Sequence, residues 1–187
     1  MATVLVNVSR PPVAVGLCVV VSALLLAGAH AFEKFGGLAP CLLCLDQREA
    51  HWAALAAGGL ALAVAWLNRR STRLLAASLG VLAILYAFSA GLAGYHAGVE
   101  WGFWAGPAQC ASGNVENLAT ADDLLASLNE PAPGPACSEA AWRMAGISMA
   151  GYNALISLGL AGLALMSCMR AARSLKRERV RCGPLEA

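Results

Sequence analysis

The stretch "LLAASLGVLAILYAFSAGLAG", Leu74–Gly94, carries no Asp, Glu, Lys or Arg. It has the length that a helix needs to cross the hydrocarbon core of a bilayer, about 20 apolar residues. Three other uncharged runs, Pro11–Phe32, Ala50–Leu67 and Met144–Met169, share this character. Of the 187 residues, 59% are hydrophobic and 13% are charged, whereas a soluble domain carries about 25% charged residues. The sequence therefore predicts four transmembrane helices, because so little polar sequence could not cover four such runs in water.

We predict an all-α membrane protein whose single integral domain, residues 1–187, is a four-transmembrane-helix bundle. The predicted helices are 11–32, 42–67, 74–95 and 144–169, the outer loops are 33–41 and 96–143, and the cytoplasmic tail is 170–187. The second outer loop contains "NVENLATADDLLASLNE", whose leucines form an apolar stripe and predict a short amphipathic helix. A cleaved signal peptide is the alternative for the first run, but the run is longer than the apolar core of such peptides, roughly 7–15 residues.

The basic residues are unevenly divided between the two sides of the predicted bundle. Ten of the 13 Lys and Arg residues lie near the termini or between the second and third helices: Arg10, Arg69, Arg70, Arg73, Arg170, Arg173, Lys176, Arg177, Arg179 and Arg181. Lys and Arg are enriched in cytoplasmic loops of membrane proteins. Both termini are therefore predicted to be cytoplasmic, and the other two loops face the opposite side.

This topology sorts the seven cysteines by compartment. The outer loops carry two pairs, Cys41 with Cys44 and Cys110 with Cys137, on the side where disulfides persist. The remaining three are Cys18 and Cys168, interpreted as small packing residues, and Cys182, interpreted as a tail thiol. The four outer cysteines are thus the candidates for redox chemistry.

The stretch "PCLLCLDQR", Pro40–Arg48, places the first pair at the start of the second helix. The helix N-terminus and the Arg48 charge both stabilise a thiolate, which favours a reactive Cys44. Alternatives remain at this point: Arg48 is equally suited to snorkelling at the membrane interface, and a CxxC can be half of a metal site or an inert disulfide. A zinc site made of all four outer cysteines has poor spacing, because a membrane hairpin separates the pairs, so no metal site is predicted.

The second outer loop offers two interpretations for its cysteines and for a histidine. A disulfide between Cys110 and Cys137 could be purely structural, but the loop is rich in Pro and Gly near Cys137. We therefore expect a mobile, exposed disulfide that another protein's thiolate can attack. His96, at the end of the third apolar run, is either an interfacial polar residue or a donor and proton carrier near a ligand.

Taken together, these motifs resemble the disulfide bond formation protein B family, DsbB. The resemblance rests on four helices, "PCLLC" with "QR", "YH" at the end of the third helix, the second cysteine pair, and "AWRMAGISMAGYN" before the fourth helix. It implies a thiol–disulfide oxidoreductase of the bacterial inner membrane with periplasmic redox loops. Such an enzyme reoxidises a periplasmic DsbA-like dithiol oxidase and passes the electrons to membrane quinone, either ubiquinone or menaquinone. Lipid and quinone are then the other partners, and nucleic acid is not expected.

The resemblance also implies roles for individual residues. Cys110 is attacked by the partner's thiolate, Cys137 exchanges with Cys41, and Cys44 faces the quinone with Arg48 and His96 beside it. Gln47 departs from the pattern, because some family members carry an acid there. Two other function classes compete: a non-catalytic four-helix scaffold with stapled loops, and a thiol conduit across the membrane. The conduit needs a further redox pair, and the three remaining cysteines lack CxxC spacing.

Overall fold

The computed structural model describes residues 10–67, 72–107, 110 and 136–181. In chain order its elements are α1 (Pro11–Gly36), α2 (Leu42–Leu67), α3 (Thr72–Glu100), β1 (Arg143–Met144), β2 (Ile147–Ser148) and α4 (Met149–Arg181). The predicted amphipathic helix lies outside the described residues. Apart from one short β-hairpin, the described chain is a helical bundle, which confirms the predicted fold class.

Each of the four helices is long and apolar enough to cross a membrane. Their most apolar windows have mean hydropathies of 2.4, 1.6, 2.0 and 1.7. Large apolar side chains also point away from the bundle, including Leu24, Ile84, Phe88 and Leu158, each more than 60% exposed. A water-facing surface would not carry so many large apolar groups, whereas a lipid-facing surface requires them. The helices therefore form a multi-pass membrane protein.

The first and third helices extend beyond the uncharged runs that predicted them. α1 starts with prolines at its first two positions and ends at Gly36, followed by Gly37 in the left-handed conformation with φ 64°. The N–H of Gly37 closes the helix on the carbonyl of Phe32, a role that glycine fills without steric cost. α3 continues to Glu100 instead of ending near residue 95. This extra turn carries polar side chains that are buried by the neighbouring helices.

The fourth helix begins later than the uncharged run suggests. Residues 143–148 form the β1–β2 hairpin, in which Arg143 pairs with Ser148. Ala145 and Gly146 have φ of 49° and 81°, the two positive values of a type I′ hairpin turn, and a right-handed helix cannot include them. Ser148 then caps α4, because its Oγ accepts the Gly151 N–H at 3.1 Å.

At its other end, α4 continues through most of the predicted cytoplasmic tail. The helix runs to Arg181, through a segment of Ala, Leu, Glu, Lys and Arg. These residue types have high helix propensity, so the chain stays helical after its apolar run ends. The change from apolar to basic sequence marks the expected membrane boundary without marking the end of the helix.

The core of the bundle combines large residues on α3 with small residues on its neighbours. Leu79, Leu82 and Tyr86 are fully buried against α1, α2 and α4, and α3 packs most extensively against α4. At Gly58 of α2, an added Cβ would lie 2.7 Å from Val19 of α1. Small residues permit this close approach of membrane helices. Cys18 is fully buried in this core, in accordance with its interpretation as a packing residue.

Candidate redox-active site

The first cysteine pair lies where α2 begins. Cys41 directly precedes the helix, and its Sγ accepts the backbone N–H of Cys44 at 3.3 Å, the hydrogen bond that a helix N-cap makes. The two sulfurs are 2.6 Å apart. A disulfide bond is about 2.05 Å long, so a small side-chain movement closes or opens the pair. The hydrogen bond with the Cys44 sulfur, together with burial, raises the pKa of the Cys41 thiol.

His96 of α3 faces this pair. Its Nε2 lies 3.6 Å from the Sγ of Cys41, and its side chain is 2% exposed. On the other side of the ring, Nε2 of Gln47 donates to Nδ1 at 2.8 Å and to the carbonyl of Leu43 at 3.1 Å. An imidazole nitrogen that accepts a hydrogen bond leaves the proton on the other nitrogen. In this arrangement His96 therefore presents an N–H to Cys41.

A chain of buried hydrogen bonds continues from Gln47 into the bundle. The side-chain amide of Asn153, on α4, donates to Oε1 of Gln47 at 2.7 Å. The Oδ1 of Asn153 is 2.9 Å from Nε2 of His51, and Oγ of Ser22 on α1 is 3.2 Å from Nδ1 of His51. Polar residues at membrane depth are costly unless paired. Here they pair with one another and connect all four helices.

Arg48 is anchored to α1. Its Nη1 lies 2.5 Å from Oε2 of Glu33, and its Nη2 donates to the carbonyl of Ala29 at 3.4 Å. The Arg48 side chain is 15% exposed and that of Glu33 is 37% exposed. The guanidinium is therefore held at one position beside the first cysteine pair, and the tie to Glu33 was missed by the sequence analysis.

Glu100 is a second acid that sequence analysis did not single out. It lies one turn beyond His96 on α3, its side chain is 4% exposed, and its Oε1 is 3.8 Å from Nε2 of His96. Among the described residues, its Oε2 has no hydrogen-bond partner. Buried carboxylates are normally paired or neutralised, so this one is unusual. Its position at i+4 from His96 was the signal available in the sequence.

The second cysteine pair packs directly against the first. Cys110 and Cys137 are joined in a disulfide and share an apolar cluster with Cys41, Leu43 and Val99. We expected an exposed disulfide, and this was wrong for the structure as described: Cys110 is 7% exposed and Cys137 is fully buried. The reason is that both cysteines pack against Cys41, Leu43 and Val99, at the start of α2 and the end of α3. The disulfide therefore lies in the same packed cluster as the Cys41–Cys44 pair.

The segment after Cys137 is fastened to the helices. Nη2 of Arg143 donates to the backbone carbonyl of Glu100 at 3.1 Å. The Tyr152 hydroxyl of α4 donates to the carbonyl of Met144, the next residue of β1, at 3.1 Å. These bonds hold the β1–β2 hairpin between the ends of α3 and α4.

A cavity of about 550 Å³ opens next to the first cysteine pair. Its polar lining includes all four of the residues predicted for the first half of the site, and also residues that were missed: Cys41, Cys44, Arg48 and His96, then Gln47, His51, Glu100 and Asn153. Its remaining walls are largely apolar, with Leu24, Leu26, Phe32 and Ile156 among them. Chemically, the site combines a dithiol, an adjacent imidazole and a second disulfide within one cluster, which suits thiol–disulfide exchange. Its apolar cavity suits a hydrophobic ligand with a few polar atoms.

Comparison with known proteins agrees with this chemistry. The family model described as disulfide bond formation protein DsbB matches residues 11–167. No curated protein and no solved structure matches the chain. The matched region begins with α1 and ends within α4, so it includes both cysteine pairs and the cavity between the helices. The chain therefore belongs to the DsbB family of membrane oxidoreductases for disulfide bond formation.

Proposed function

We propose that this protein oxidises the dithiol of a soluble, periplasmic DsbA-like partner and passes the electrons to membrane quinone. The observation that carries the proposal is the single cluster that contains both cysteine pairs, with a largely apolar cavity beside Cys44. A soluble partner can deliver electrons to one pair, and a lipid-soluble acceptor can collect them from the other. The uneven distribution of basic residues supports an inner-membrane orientation with cytoplasmic termini and periplasmic redox loops.

In the first half of the cycle, the partner's thiolate attacks Cys110. The Cys110–Cys137 bond breaks, a mixed disulfide forms, and Cys137 leaves as a thiolate. Cys137 then attacks Cys41 of an oxidised Cys41–Cys44 pair, which releases Cys44. The partner's second thiol resolves the mixed disulfide and leaves as part of an oxidised partner. The freed Cys110 thiolate then attacks Cys137 of the Cys41–Cys137 disulfide, and Cys41 leaves as a thiolate. The net result is a reduced Cys41–Cys44 pair.

In the second half of the cycle, the chain's residues prepare that pair for reoxidation. Arg48 and His96 lie at the cavity next to Cys44 and Cys41, where a cation and an N–H donor stabilise a developing thiolate. The apolar walls exclude water and fit an isoprenoid-bearing ring, and these two side chains are suited to its carbonyl oxygens. A quinone bound there supplies the capacity to take up two electrons and two protons.

The test is a reconstituted reaction of purified protein, a reduced DsbA-like dithiol and a soluble quinone. Quinone absorbance and the number of titratable thiols should fall together, with one quinone reduced for every two thiols oxidised. Cys44→Ser should abolish turnover, whereas Cys168→Ser, on the far half of α4, should leave it unchanged. Full turnover in the Cys44→Ser variant would contradict the role of Cys44. Absence of quinone-dependent thiol oxidation in the wild-type protein would instead favour the scaffold hypothesis, because a scaffold needs no reactive thiol.

A further inference from the structure

Cys41, Cys44 and His96 bring together the donor atoms of a metal site. The two sulfurs and a ring nitrogen of His96 all lie within 4.8 Å of one another. Thiolate and imidazole are the ligands that zinc and other thiophilic cations prefer. The three side chains are largely buried, which limits competition from water. This donor set differs from the four-cysteine site considered in the sequence analysis. It uses one cysteine pair and His96 of α3, and it does not require Cys110 or Cys137.

One of the separations matches an edge of a small tetrahedron, and a second requires the cysteine pair to open. With Zn–S of about 2.3 Å and Zn–N of about 2.0–2.1 Å, a tetrahedral site has sulfur–nitrogen edges of about 3.5 Å. The observed distance from Cys41 Sγ to His96 Nε2 is 3.6 Å. The sulfur–sulfur edge of such a site is about 3.8 Å, whereas the pair is 2.6 Å apart. Opening the reduced pair by side-chain rotation therefore completes this face.

Glu100 provides the second, independent observation. Its Oε1 is 3.8 Å from Nε2 of His96, close to the nitrogen–oxygen edge of about 3.3 Å expected for zinc. Its Oε2 has no hydrogen-bond partner among the described residues although the side chain is 4% exposed. A buried carboxylate oxygen without a partner is expensive. A cation placed between Glu100, His96 and the thiolates would satisfy it.

Gln47 can support this arrangement from behind. A metal on Nε2 of His96 requires the ring proton to lie on Nδ1, and metal-bound histidines usually donate that proton to an oxygen. Gln47 is 2.8 Å from Nδ1, and a half-turn of its amide presents Oε1 to the ring. Asn153, its neighbour in the chain of hydrogen bonds, can turn in the same way.

We propose that the reduced protein binds one thiophilic divalent cation, Zn²⁺ or Cd²⁺, through Cys41, Cys44 and His96, with the Glu100 carboxylate beside His96 as a supporting anion. Binding displaces the thiol protons and forms two metal–sulfur bonds, and it involves no electron transfer. The oxidised pair cannot bind in this way, since its sulfurs are joined to each other. The bound cation withholds both thiolates from oxidation, so it inhibits the proposed reaction by trapping the reduced state. The binding itself does not depend on the proposed function.

The experiment uses Co²⁺ as a coloured probe for the zinc site. The full-length Cys110→Ser/Cys137→Ser variant in detergent is reduced, freed of reductant and titrated with Co²⁺. We expect one Co²⁺ per chain, with thiolate-to-cobalt charge-transfer bands and the intense visible bands of tetrahedral cobalt, and displacement of both by Zn²⁺. Oxidised protein should stay colourless. Colour of equal intensity in oxidised protein, or no colour up to about millimolar Co²⁺, would overturn the proposal.

Matched variants then test each ligand in that background. Cys44→Ser and His96→Ala should remove the tetrahedral spectrum, and Glu100→Gln should weaken binding at least about tenfold, as loss of a supporting group does. Glu139→Gln removes an exposed carboxylate from the same cavity, and Cys168→Ser removes a distant thiol; neither should alter the affinity. Unchanged affinity in both His96→Ala and Glu100→Gln would contradict the assignment.

A measurement on the native chain guards against variants that fail to fold. Stoichiometric Zn²⁺ should protect Cys41 and Cys44 of the reduced wild-type protein from alkylation, as read by mass spectrometry of the peptides. Equal alkylation with and without Zn²⁺ would contradict the site. A protein that binds Zn²⁺ but reduces no quinone would support this inference and overturn the proposed function, so the two are separable.

Discussion

At the scale of single residues, Arg48 and Glu100 place opposite charges near the same cysteine pair, because both line the cavity beside it. Arg48 is fixed by Glu33 and by the carbonyl of Ala29, whereas Glu100 has one oxygen without a hydrogen-bond partner in the described part of the chain. The cation stabilises a thiolate and the anion opposes it. The reactivity of the pair therefore depends on a balance that single substitutions can shift.

Arg48→Ala should slow quinone reduction at least about tenfold, because a preorganised charge at the reacting sulfurs is lost. Oxidation of the partner in a single turnover should change less, since Arg48 lies on the cavity side of the pair. Stopped-flow absorbance separates the two steps. Glu33→Gln is the matched control, because its amide oxygen still holds the guanidinium. Impaired partner oxidation with normal quinone reduction would contradict the role of Arg48.

Glu100→Gln should make the metal-free protein more stable, by about 1–3 kcal/mol, because it replaces a buried, incompletely paired charge with a neutral isostere. The measurement is thermal or denaturant unfolding in one detergent, with helical content followed by circular dichroism. Glu139→Gln should change stability by less than about 0.5 kcal/mol, as expected for an exposed residue. A marked loss of stability in Glu100→Gln would show that the carboxylate has a stabilising partner.

At the scale of elements, the sequence predicts what depends on local composition. Uncharged runs identified all four helices. The CxxC motif and the family resemblance predicted Cys41, Cys44, Arg48 and His96 as site residues, and these four line one cavity. Helix ends were less predictable: the Ala145–Gly146 turn delays α4, and buried contacts prolong α3. These depend on interactions with other elements that no local pattern encodes.

The missed site residues have the same explanation. Glu33, His51 and Asn153 look like ordinary polar residues near helix ends or between apolar ones. Their importance arises only when α1, α2 and α4 come together, so that Glu33 meets Arg48 and Asn153 joins Gln47 to His51. Hydrogen bonds between distant segments cannot be read from spacing within one segment.

Asn153→Ala tests the connection between α2 and α4. The substitution leaves Oε1 of Gln47 and Nε2 of His51 without this partner, and each unsatisfied buried group costs about 1–3 kcal/mol. We expect lower thermal stability and slower reoxidation of the cysteine pair, because Gln47 no longer holds His96 firmly. Leu158→Ala, on the lipid-facing side of the same helix, is the control and should have a smaller effect. Equal losses in the two variants would indicate that Asn153 contributes packing alone.

At the scale of the whole molecule, the two cysteine pairs form one buried cluster in the described residues. The Cys110–Cys137 disulfide packs at the start of α2 and the end of α3, and Cys137 is fully buried. In the proposed cycle, a soluble partner reaches Cys110 only after the residues packed against it move. The exchange between pairs, by contrast, needs little rearrangement, because Cys41 and Cys137 already share the cluster.

A variant that lacks Cys44 and Cys110 should trap this exchange. In Cys44→Ser/Cys110→Ser, mild oxidation should join Cys41 to Cys137, since both remain in the cluster without their usual partners. Mass spectrometry of non-reduced peptides identifies the bond. Replacing Cys41 as well should remove it, which controls for pairing with Cys18 or Cys168. Failure to recover the Cys41–Cys137 peptide under oxidising conditions would count against direct exchange between the pairs.

The hydrogen bonds that fasten the β1–β2 hairpin to α3 and α4 affect the rate of the proposed cycle. Arg143 is hydrogen-bonded to the Glu100 carbonyl at the end of α3, and the six residues of chain from Cys137 to Arg143 extend at most about 20 Å. Cys137 therefore stays within a short distance of the end of α3. In the proposed cycle, Cys137 therefore stays near Cys41 while Cys110 is joined to the partner. This short tether makes the reaction of Cys137 with Cys41 intramolecular, with an effective concentration in the millimolar range or above. The rate of this step then depends on how closely the tether holds Cys137, and removing the Arg143 hydrogen bond to α3 would lengthen the lifetime of the mixed disulfide.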